Sequence, residues 1–320
     1  MKKVLLSSFF ALLLFSCQND QTDSSKLETA AAEEHLGCST QEVLEAQLKA
    51  DPTLAIRMNE IEAFTAKQAL SNPTGRALAG PITIHVVVNV LYRTAAENIS
   101  NAQIQSQIDV LNKDFNGANS DFGSVPALFA PVKANVGITF VLDQVIRKST
   151  TKTSWGTSDA MKKVATGGLA PTSPTTKLNI WSCPIGGGIL GYAQFPGGSA
   201  ATDGVVLDPK NFGLSGAANA PYNLGRIGTH EVGHWMNLRH IWGDATCGSD
   251  LVADTPTHNT SNSGAPAYPH YSTCAGTPVE MTMNYMDYTN NYSMYMFSNG
   301  QKARMLAIFA TGGVRAAYAL

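Results

Sequence analysis

The feature that most constrains this chain is the stretch HEVGHWMNLRH, which runs from His230 to His240. On an α-helix, residues four apart lie on one face, so His230 and His234 project side by side, as two imidazoles must to share one metal ion. Zinc binds imidazole nitrogen and favours four ligands. Glu231 can take a proton from a zinc-bound water and later give it to a leaving amine. The stretch therefore predicts a helix that carries a zinc site and its general base.

The third histidine requires the helix to stop. His240 lies six residues after His234, where a continuing helix would turn its side chain away from the first two. The chain must swing back, which needs a residue with positive φ midway, and Asn237 tolerates the left-handed conformation better than most residues. We expect three neutral ligands and one position open for water, which keep the charge of the ion largely intact. The alternative is a helix with solvated histidines.

The region from Pro81 onwards predicts mixed secondary structure. A β-branched run from Ile82 to Tyr92 suits a central strand. Ser100 can cap a helix, and four apolar residues then share one helical face. That face comprises Ile104, Ile108, Leu111 and Phe115. Further strands are predicted at Gly137–Leu142, Lys177–Trp181, Leu190–Phe195 and Val205–Leu207.

The second half of the chain predicts two helices separated by irregular structure. One helix covers Pro221–Leu238 and carries the histidines, and the other runs from near Gly300 to the C-terminus. Between them lie segments rich in Gly, Pro, Thr and Asn. Strands mixed with helices, followed by an irregular lobe, indicate an α+β or mixed α/β domain.

The N-terminus predicts export. Lys2 and Lys3 precede an apolar run over 4–15, which is too short for a stable transmembrane helix, so residues 1–16 form a signal peptide. The sequence that ends at Cys17 resembles a bacterial lipoprotein box, which implies cleavage before Cys17 and lipidation of its thiol. The alternative is an ordinary signal peptide that contains a cysteine.

Residues 17–78 predict a tether and a propeptide. Residues 18–30 are polar, residues 40–70 have loosely helical apolar spacing, and SNPTG at 71–75 ends that pattern. The alternative is that this segment is the first part of the folded domain. Arg76 is one plausible cleavage point for maturation, and its neighbours are others.

The composition excludes one class of partner. Charged residues make up 14% of the chain and the net charge is −2. A nucleic-acid-binding protein would usually carry a basic patch or a high pI, so we expect no nucleic-acid partner.

A second motif makes the sequence resemble a known family. NYMDY at 284–288 follows the histidine motif, and together they resemble the metzincin clan, within it the pappalysin family and its bacterial cytophagalysin-like members. The resemblance covers roughly residues 80–315 and includes TIHVVVNVLY, QIQSQIDVLNKDFN, LNIWSC, LGYAQFPGG, DTP and MFSNGQKARM. It implies a zincin-type α+β catalytic domain over 79–320. That fold has a twisted five-stranded mixed sheet with a backing helix and an active-site helix. An irregular C-terminal subdomain begins near residue 241 and ends in a helix.

The resemblance also implies roles for residues around the metal. Met286 would be the Met-turn residue beneath the histidines, although a plain core methionine is an equivalent interpretation from the sequence. Tyr288 would stabilise the oxyanion of the tetrahedral intermediate, and its alternative is a buried structural tyrosine. Gly191, Tyr192 and Ala193 would form an edge strand that binds an extended peptide by strand addition.

The lobe after the metal motif contains further implied features. The resemblance implies a disulfide between Cys247 and Cys274, which is physically reasonable for an exported lobe with little core. It also implies a structural calcium ion, for which Asp250 and Asp254 are candidate ligands because calcium prefers carboxylate and carbonyl oxygens. The alternative is solvated loop carboxylates.

A cysteine before the catalytic domain suggests latency. Related zymogens use a propeptide cysteine whose thiolate occupies the open zinc position, and Cys38 is the candidate here. The alternative is a Cys38–Cys183 disulfide, although Cys183 lies next to a predicted strand and is better interpreted as a small buried residue. The remaining loop histidines, His258 and His270 among them, are predicted to be solvated.

These features predict an exported zinc metalloendopeptidase that cleaves peptide bonds by a zinc-activated water, with Glu231 as general base. Its partners would be protein or peptide substrates. We expect a monomer that contacts the membrane only through a lipid anchor on Cys17, at the bacterial envelope or cell surface, or released as a mature secreted enzyme. The alternative is a noncatalytic surface lipoprotein on the same scaffold, binding protein or glycan. Intact Glu231 argues against that alternative, because a binding module needs no proton shuttle beside a metal.

Overall fold

The computed structural model describes residues 37–71, 81–214 and 216–319. The predicted signal peptide, the predicted lipidation site at Cys17 and the proposed cleavage region around Arg76 lie outside these residues. Within the described ranges, no helix combines the length and the apolar character that a membrane crossing would require.

Five strands form one mixed sheet, as the sequence predicted. They follow the spatial order β2-β1-β3-β5-β4, and every neighbouring pair is parallel except β4 with β5. The strands are β1 (Ile82–Tyr92), β2 (Ile138–Ser149), β3 (Leu178–Ser182), β4 (Gly191–Ala193) and β5 (Val205–Leu207). A separate two-stranded ladder joins β6 (Ser263–Gly264) to β7 (Tyr288–Thr289). The antiparallel β4 is an edge strand of the larger sheet, at the side where the metal motif lies.

Five α-helices accompany the sheet: α1 (Thr40–Ala50), α2 (Thr53–Ser71), α3 (Asn101–Asp114), α4 (Arg226–Trp235) and α5 (Asn299–Ala307). Short 3₁₀ turns lie at Phe122–Ser124, Ala160–Lys162, Val164–Thr166, Ala200–Thr202, Pro209–Asn211, Asn291–Ser293 and Ala316–Tyr318. Helix α3 contacts β2, and α4 contacts α3, β4 and β5. The sheet therefore fixes α4, which carries the first two histidines, beside its edge.

The backing helix α3 forms as its sequence predicts. Ser100 accepts a hydrogen bond from the backbone N–H of Gln103 at 3.1 Å, which satisfies one of the free amides of the first turn. The four predicted apolar residues of its inner face are all buried. They pack in the main core with the alternate inward residues of β1, so one helical face and one strand face bury each other.

Two helices are shorter than predicted. The predicted helix over 221–238 covers only α4, because Gly225 has φ of 72° immediately before it and Asn237 has φ of 73° after it. The prediction of positive φ at Asn237 is confirmed. The predicted C-terminal helix ends at Ala307, and Gly312, with φ of 82°, lies in the turns that follow.

Helices α1 and α2 pack against the rest of the fold. Helix α1 contacts β4, and α2 contacts α5. Leu44 and Leu54 form a small buried cluster with Phe195, which follows β4. The segment predicted to be a propeptide is therefore in apolar contact with the edge of the sheet and with the C-terminal lobe.

Candidate metal centre and substrate cleft

The three predicted zinc ligands converge. His230 and His234 project from the same face of α4, and the turn at Asn237 returns the chain so that His240 faces them. The Nε2 atom of His234 lies 3.1 Å from Nε2 of His230 and 3.0 Å from Nε2 of His240. All three side chains are at most 3% exposed.

The other nitrogen of each imidazole has a defined partner. Nδ1 of His230 donates to the carbonyl of Tyr285 at 2.6 Å, and Nδ1 of His234 donates to the carbonyl of Leu238 at 2.8 Å. Nδ1 of His240 contacts Oδ1 of Asp244. Because a carbonyl can only accept, these contacts put the proton on Nδ1 and direct the Nε2 lone pairs towards one point.

The donor set fits a zinc ion. Three neutral imidazoles with convergent lone pairs are a common zinc environment. Burial, together with nearby His240, lowers the pKa of His230 to about 3, so this ring stays neutral over the physiological range. Burial likewise lowers the pKa of His234. Among the described residues, the one convergent group of metal-ligating side chains adds Cys38 to the histidines, with all four ligand atoms within 4.8 Å of one another.

Glu231 lies beside this centre and is fully buried. Its Oε2 accepts a hydrogen bond from the Thr40 hydroxyl at 2.9 Å and lies 3.3 Å from Sγ of Cys38. Its Oε1 has no hydrogen-bond partner within the described part of the chain. Burial raises the pKa of this carboxyl to about 8. A nearby dication would favour the carboxylate, so the group is suited to exchange a proton.

Met286 contacts α4, and Tyr288 lies beside His240. Met286 is buried against α4, and a Cβ on Gly233 would come within 2.6 Å of its Sδ, so any larger residue at that helix position would require Met286 to move. The Tyr288 ring centroid lies 4.9 Å from that of His240. Its hydroxyl donates to the carbonyl of Cys38 at 3.0 Å.

The segment that contains Cys38 runs along the edge strand β4. The N–H of Leu190 donates to the carbonyl of Gly37 at 3.1 Å, and the N–H of Ser39 donates to the carbonyl of Gly191 at 3.1 Å. These bonds form a parallel bridge between Cys38 and Gly191. The edge of the sheet thus already binds an extended peptide, which belongs to the same chain.

The irregular lobe contains the predicted disulfide. Cys247 and Cys274 are bonded to each other, whereas Cys38 and Cys183 are free, which rules out the alternative Cys38–Cys183 pairing in this structure. Cys183 is buried, as predicted.

The two candidate calcium ligands, Asp250 and Asp254, both accept hydrogen bonds. Asp250 accepts them from the N–H of Val252 and the hydroxyl of Thr255, and Asp254 accepts them from Ser298 and Gly300 at the start of α5. Calcium at Asp250 and Asp254 stays a prediction.

One predicted surface histidine is buried. His258 is fully buried and accepts a hydrogen bond at Nε2 from the N–H of Met281 at 2.9 Å. Its Nδ1 lies 3.6 Å from a carboxylate oxygen of Asp287. The prediction of a solvated side chain was wrong because the polar composition of its loop concealed an internal network.

Three residues of the site escaped the sequence analysis. Thr40 bridges Glu231 and β4, because its hydroxyl also accepts the N–H of Ala193 at 2.8 Å. Trp242 stacks on His240 with ring centroids 4.3 Å apart. Asp244 orients the same histidine. The position of Asp244, four residues after His240, was the available signal, since metal-bound imidazoles usually donate to a carboxylate or carbonyl.

Comparisons with known proteins agree with this geometry. A family model described as pregnancy-associated plasma protein-A, peptidase family M43, matches residues 190–310. An extracellular metalloprotease of Pyricularia oryzae is 32% identical over 263 residues, which cover 80% of this chain and 84% of the relative. Mature mirolysin of Tannerella forsythia, solved with a cleaved peptide, is 41% identical with a TM-score of 0.73, over 76% of this chain and 97% of that one. A promirolysin variant from the same organism is 38% identical with a TM-score of 0.80, over 88% and 96%.

Proposed function

Since this chain belongs to the pappalysin family of zinc metalloendopeptidases, peptidase family M43, we propose that Glu231 is its general base and that His230, His234 and His240 are its zinc ligands. The observation that carries the proposal is the convergence of three Nε2 lone pairs beside a buried carboxylate. Zinc, when bound, polarises a water molecule and the substrate carbonyl.

The residues of this chain then supply proton transfer and positioning. Glu231 takes a proton from the attacking water and gives it to the leaving amine, and its unpartnered Oε1 is available for that contact. The Tyr288 hydroxyl, which now donates to a carbonyl oxygen, would donate to the oxyanion that develops on the scissile carbonyl. Strand β4 would hold the substrate backbone, as it now holds residues 37–39.

The chain is also proposed to be a latent zymogen whose propeptide covers residues 17–78. Cys38 brings a sulfur within ligand distance of the three histidines, and its segment covers the edge strand that a substrate needs. A thiolate in the fourth ligand position would exclude the catalytic water. Release of this segment would open the metal and the strand together. One of the similar solved structures is promirolysin, a proenzyme, which supports this interpretation.

Export is proposed from the N-terminal sequence and from the relatives. Similar proteins are named extracellular metalloproteases. The apolar run before Cys17 suits a lipoprotein signal, which would leave the enzyme on a lipid anchor. Growth with a labelled fatty acid would label the wild-type chain and leave Cys17→Ala unlabelled. A labelled Cys17→Ala variant would contradict this anchor.

The test of the catalytic proposal is hydrolysis of casein by the purified chain after propeptide loss. Wild type and Glu231→Ala would be compared, each with and without a zinc chelator, and bound zinc would be measured in both. We expect cleavage by wild type, none after chelation, restoration by added zinc, and no cleavage by Glu231→Ala although zinc is retained. If processed wild type binds one zinc and the variant cleaves equally well, Glu231 is not the base.

A further inference from the structure

A two-bond ion pair joins the proposed propeptide, called the prosegment from here on, to the catalytic part at a second place besides Cys38 and Thr40. Both terminal nitrogens of Arg304, on α5, bind both carboxylate oxygens of Glu62, on α2. The Arg304 residue is only 4% exposed. This two-bond geometry is the preferred way in which a guanidinium recognises a carboxylate.

The catalytic part holds Arg304 in position without Glu62. Nε of Arg304 donates to the backbone carbonyl of Asn237 at 2.8 Å, and that carbonyl belongs to the turn between the second and third histidines. The donor fork is therefore fixed by the same turn that forms the metal site. If α2 is released with the prosegment, the guanidinium of Arg304 keeps its bond to Asn237 and loses its carboxylate partner.

The described residues offer Arg304 no second ion-pair partner. The one salt bridge of Arg304 in the described ranges is the one to Glu62. Asp250 lies near Arg304, but burial raises the pKa of its carboxyl to about 6, and its oxygens accept hydrogen bonds from Val252 and Thr255. A buried or half-buried cation without a partner is costly, so the vacated position favours a new anion.

This position adjoins the substrate cleft. A cavity between the prosegment and the catalytic part is lined by Glu62, Phe195, Asn237 and Arg239, among others. Phe195 follows the edge strand, and its ring centroid lies 5.5 Å from that of His234. Arg239 therefore lines the same cavity as Glu62, the carboxylate partner of Arg304. An extended peptide on β4 that continues past Phe195 would reach Arg239 and the place where Glu62 now binds Arg304.

We propose that Arg304, assisted by Arg239, forms a carboxylate-binding subsite in the mature enzyme, and that it selects substrates with an acidic side chain beyond the Phe195 end of the edge strand. Glu62 of the prosegment occupies this subsite in the latent chain, as an internal mimic of that side chain. The inference rests on the proposed release of the prosegment.

The test uses the processed enzyme and fluorogenic peptides that differ at one position. Glutamate replaces glutamine at each position in turn on both sides of the scissile bond, and kcat/KM is measured for each pair. We expect glutamate to raise kcat/KM about tenfold, mainly through KM, at one or two neighbouring positions on one side of the bond only. Because both peptides of a pair are measured with the same enzyme preparation, the ratio of their kcat/KM values does not depend on how much of the enzyme is folded.

Variants assign the effect to the guanidinium. Arg304→Gln should bring the Glu/Gln ratio close to one, and Arg304→Lys should leave an intermediate ratio because it keeps the charge and loses the fork. Lys302→Gln, which removes a cation from the same helix, should leave the ratio at its wild-type value. A wild-type ratio of one at every position overturns the subsite while leaving the peptidase activity intact.

A binding measurement keeps the subsite testable apart from catalysis. The same peptide pairs are titrated into Glu231→Ala from which an added, unrelated protease has removed the prosegment. Tighter binding of the glutamate peptide, lost in the additional Arg304→Gln variant, supports the subsite even if casein is not cleaved. Equal binding of both peptides overturns it.

Discussion

At the scale of single residues, Asp244 determines how firmly His240 can hold a metal. Its carboxylate accepts the Nδ1 proton of His240 and so directs Nε2 inward. We expect Asp244→Asn to weaken zinc binding by roughly 10- to 100-fold, since outer partners of metal-bound imidazoles typically contribute that much. Competition with a chelator of known affinity measures this. The exposed Asp109→Asn serves as the control, and equal zinc affinity in both variants would contradict the assigned role.

Thr40 is the second residue whose role can be isolated. Its hydroxyl joins the general base to the N–H of Ala193, so its loss leaves that N–H without a partner and leaves Glu231 Oε2 with only the Cys38 contact. An unsatisfied buried group costs about 1–3 kcal/mol, which would shift the closed prosegment towards the open state by a factor of roughly 5 to 150. We expect Thr40→Val, which keeps the shape and Cys38, to speed loss of the prosegment and to raise the peptidase activity of the full-length chain.

The control for Thr40 is another prosegment threonine. Thr53, at the start of α2, bonds only to neighbours within its own helix pair, so Thr53→Val should activate at the wild-type rate. The rate of prosegment loss is followed on gels, and peptide hydrolysis is followed in parallel. If Thr40→Val is processed no faster than Thr53→Val, the bond to Glu231 does not contribute to latency.

Residue identity alone predicted part of this site. The spacing of His230, His234 and His240 specified the three donors, because helical periodicity is local. Thr40 could not be found in the same way, since it lies 191 residues before the carboxylate that it contacts. The buried state of His258 was missed for the same reason: its partners come from distant parts of the lobe.

At the scale of elements, the end of α4 decides whether the third histidine reaches the metal. Asn237 has φ of 73°, a conformation that costs an ordinary side chain roughly 1–2 kcal/mol. We expect Asn237→Gly to be close to wild type in stability. We expect Asn237→Ala to be less stable than Asn237→Gly by about 1 kcal/mol, or a few degrees in Tm. Thermal unfolding of both variants measures this, and equal Tm values would show that the turn carries no such strain.

Strands and helices differed in how well the sequence predicted them. The five strands followed from β-branched and short apolar runs, and the inner face of α3 followed from helical periodicity. The bounds of α4 did not follow. The predicted helix ran from Pro221 to Leu238, whereas positive φ at Gly225 and Asn237 confines the helix to the residues between them. The lobe after α4 has little regular structure. The buried hydrogen bonds around His258 therefore left no periodic pattern in the sequence from which they could be predicted.

At the scale of the whole molecule, one buried carboxylate joins three distant parts of the fold. Asp203, just before β5, accepts hydrogen bonds from both terminal nitrogens of Arg315 at 2.6 and 2.8 Å and from the hydroxyl of Tyr318 at 2.9 Å. It also accepts Nε1 of Trp235, the last residue of α4, at 3.1 Å. The sheet edge, the active-site helix and the C-terminal turn are thereby fixed to one another.

This junction predicts how the fold responds to acid. Although burial opposes it, the Arg315 guanidinium holds the pKa of Asp203 below its usual range, so below about pH 4 the unfolded chain takes up this proton before the folded chain does. The stability that Asp203 contributes is therefore fully present above about pH 4 and is lost as the pH falls through the folded pKa. We expect Asp203→Asn to lose roughly 3–5 kcal/mol at neutral pH, because it leaves Arg315 buried without a counter-charge. Its unfolding free energy should then fall less steeply than that of wild type below pH 4. Urea titrations of the metal-free proteins between pH 3 and pH 7 measure both effects. If the unfolding free energies of wild type and variant fall equally steeply below pH 4, this carboxylate does not make the stability of the fold depend on pH.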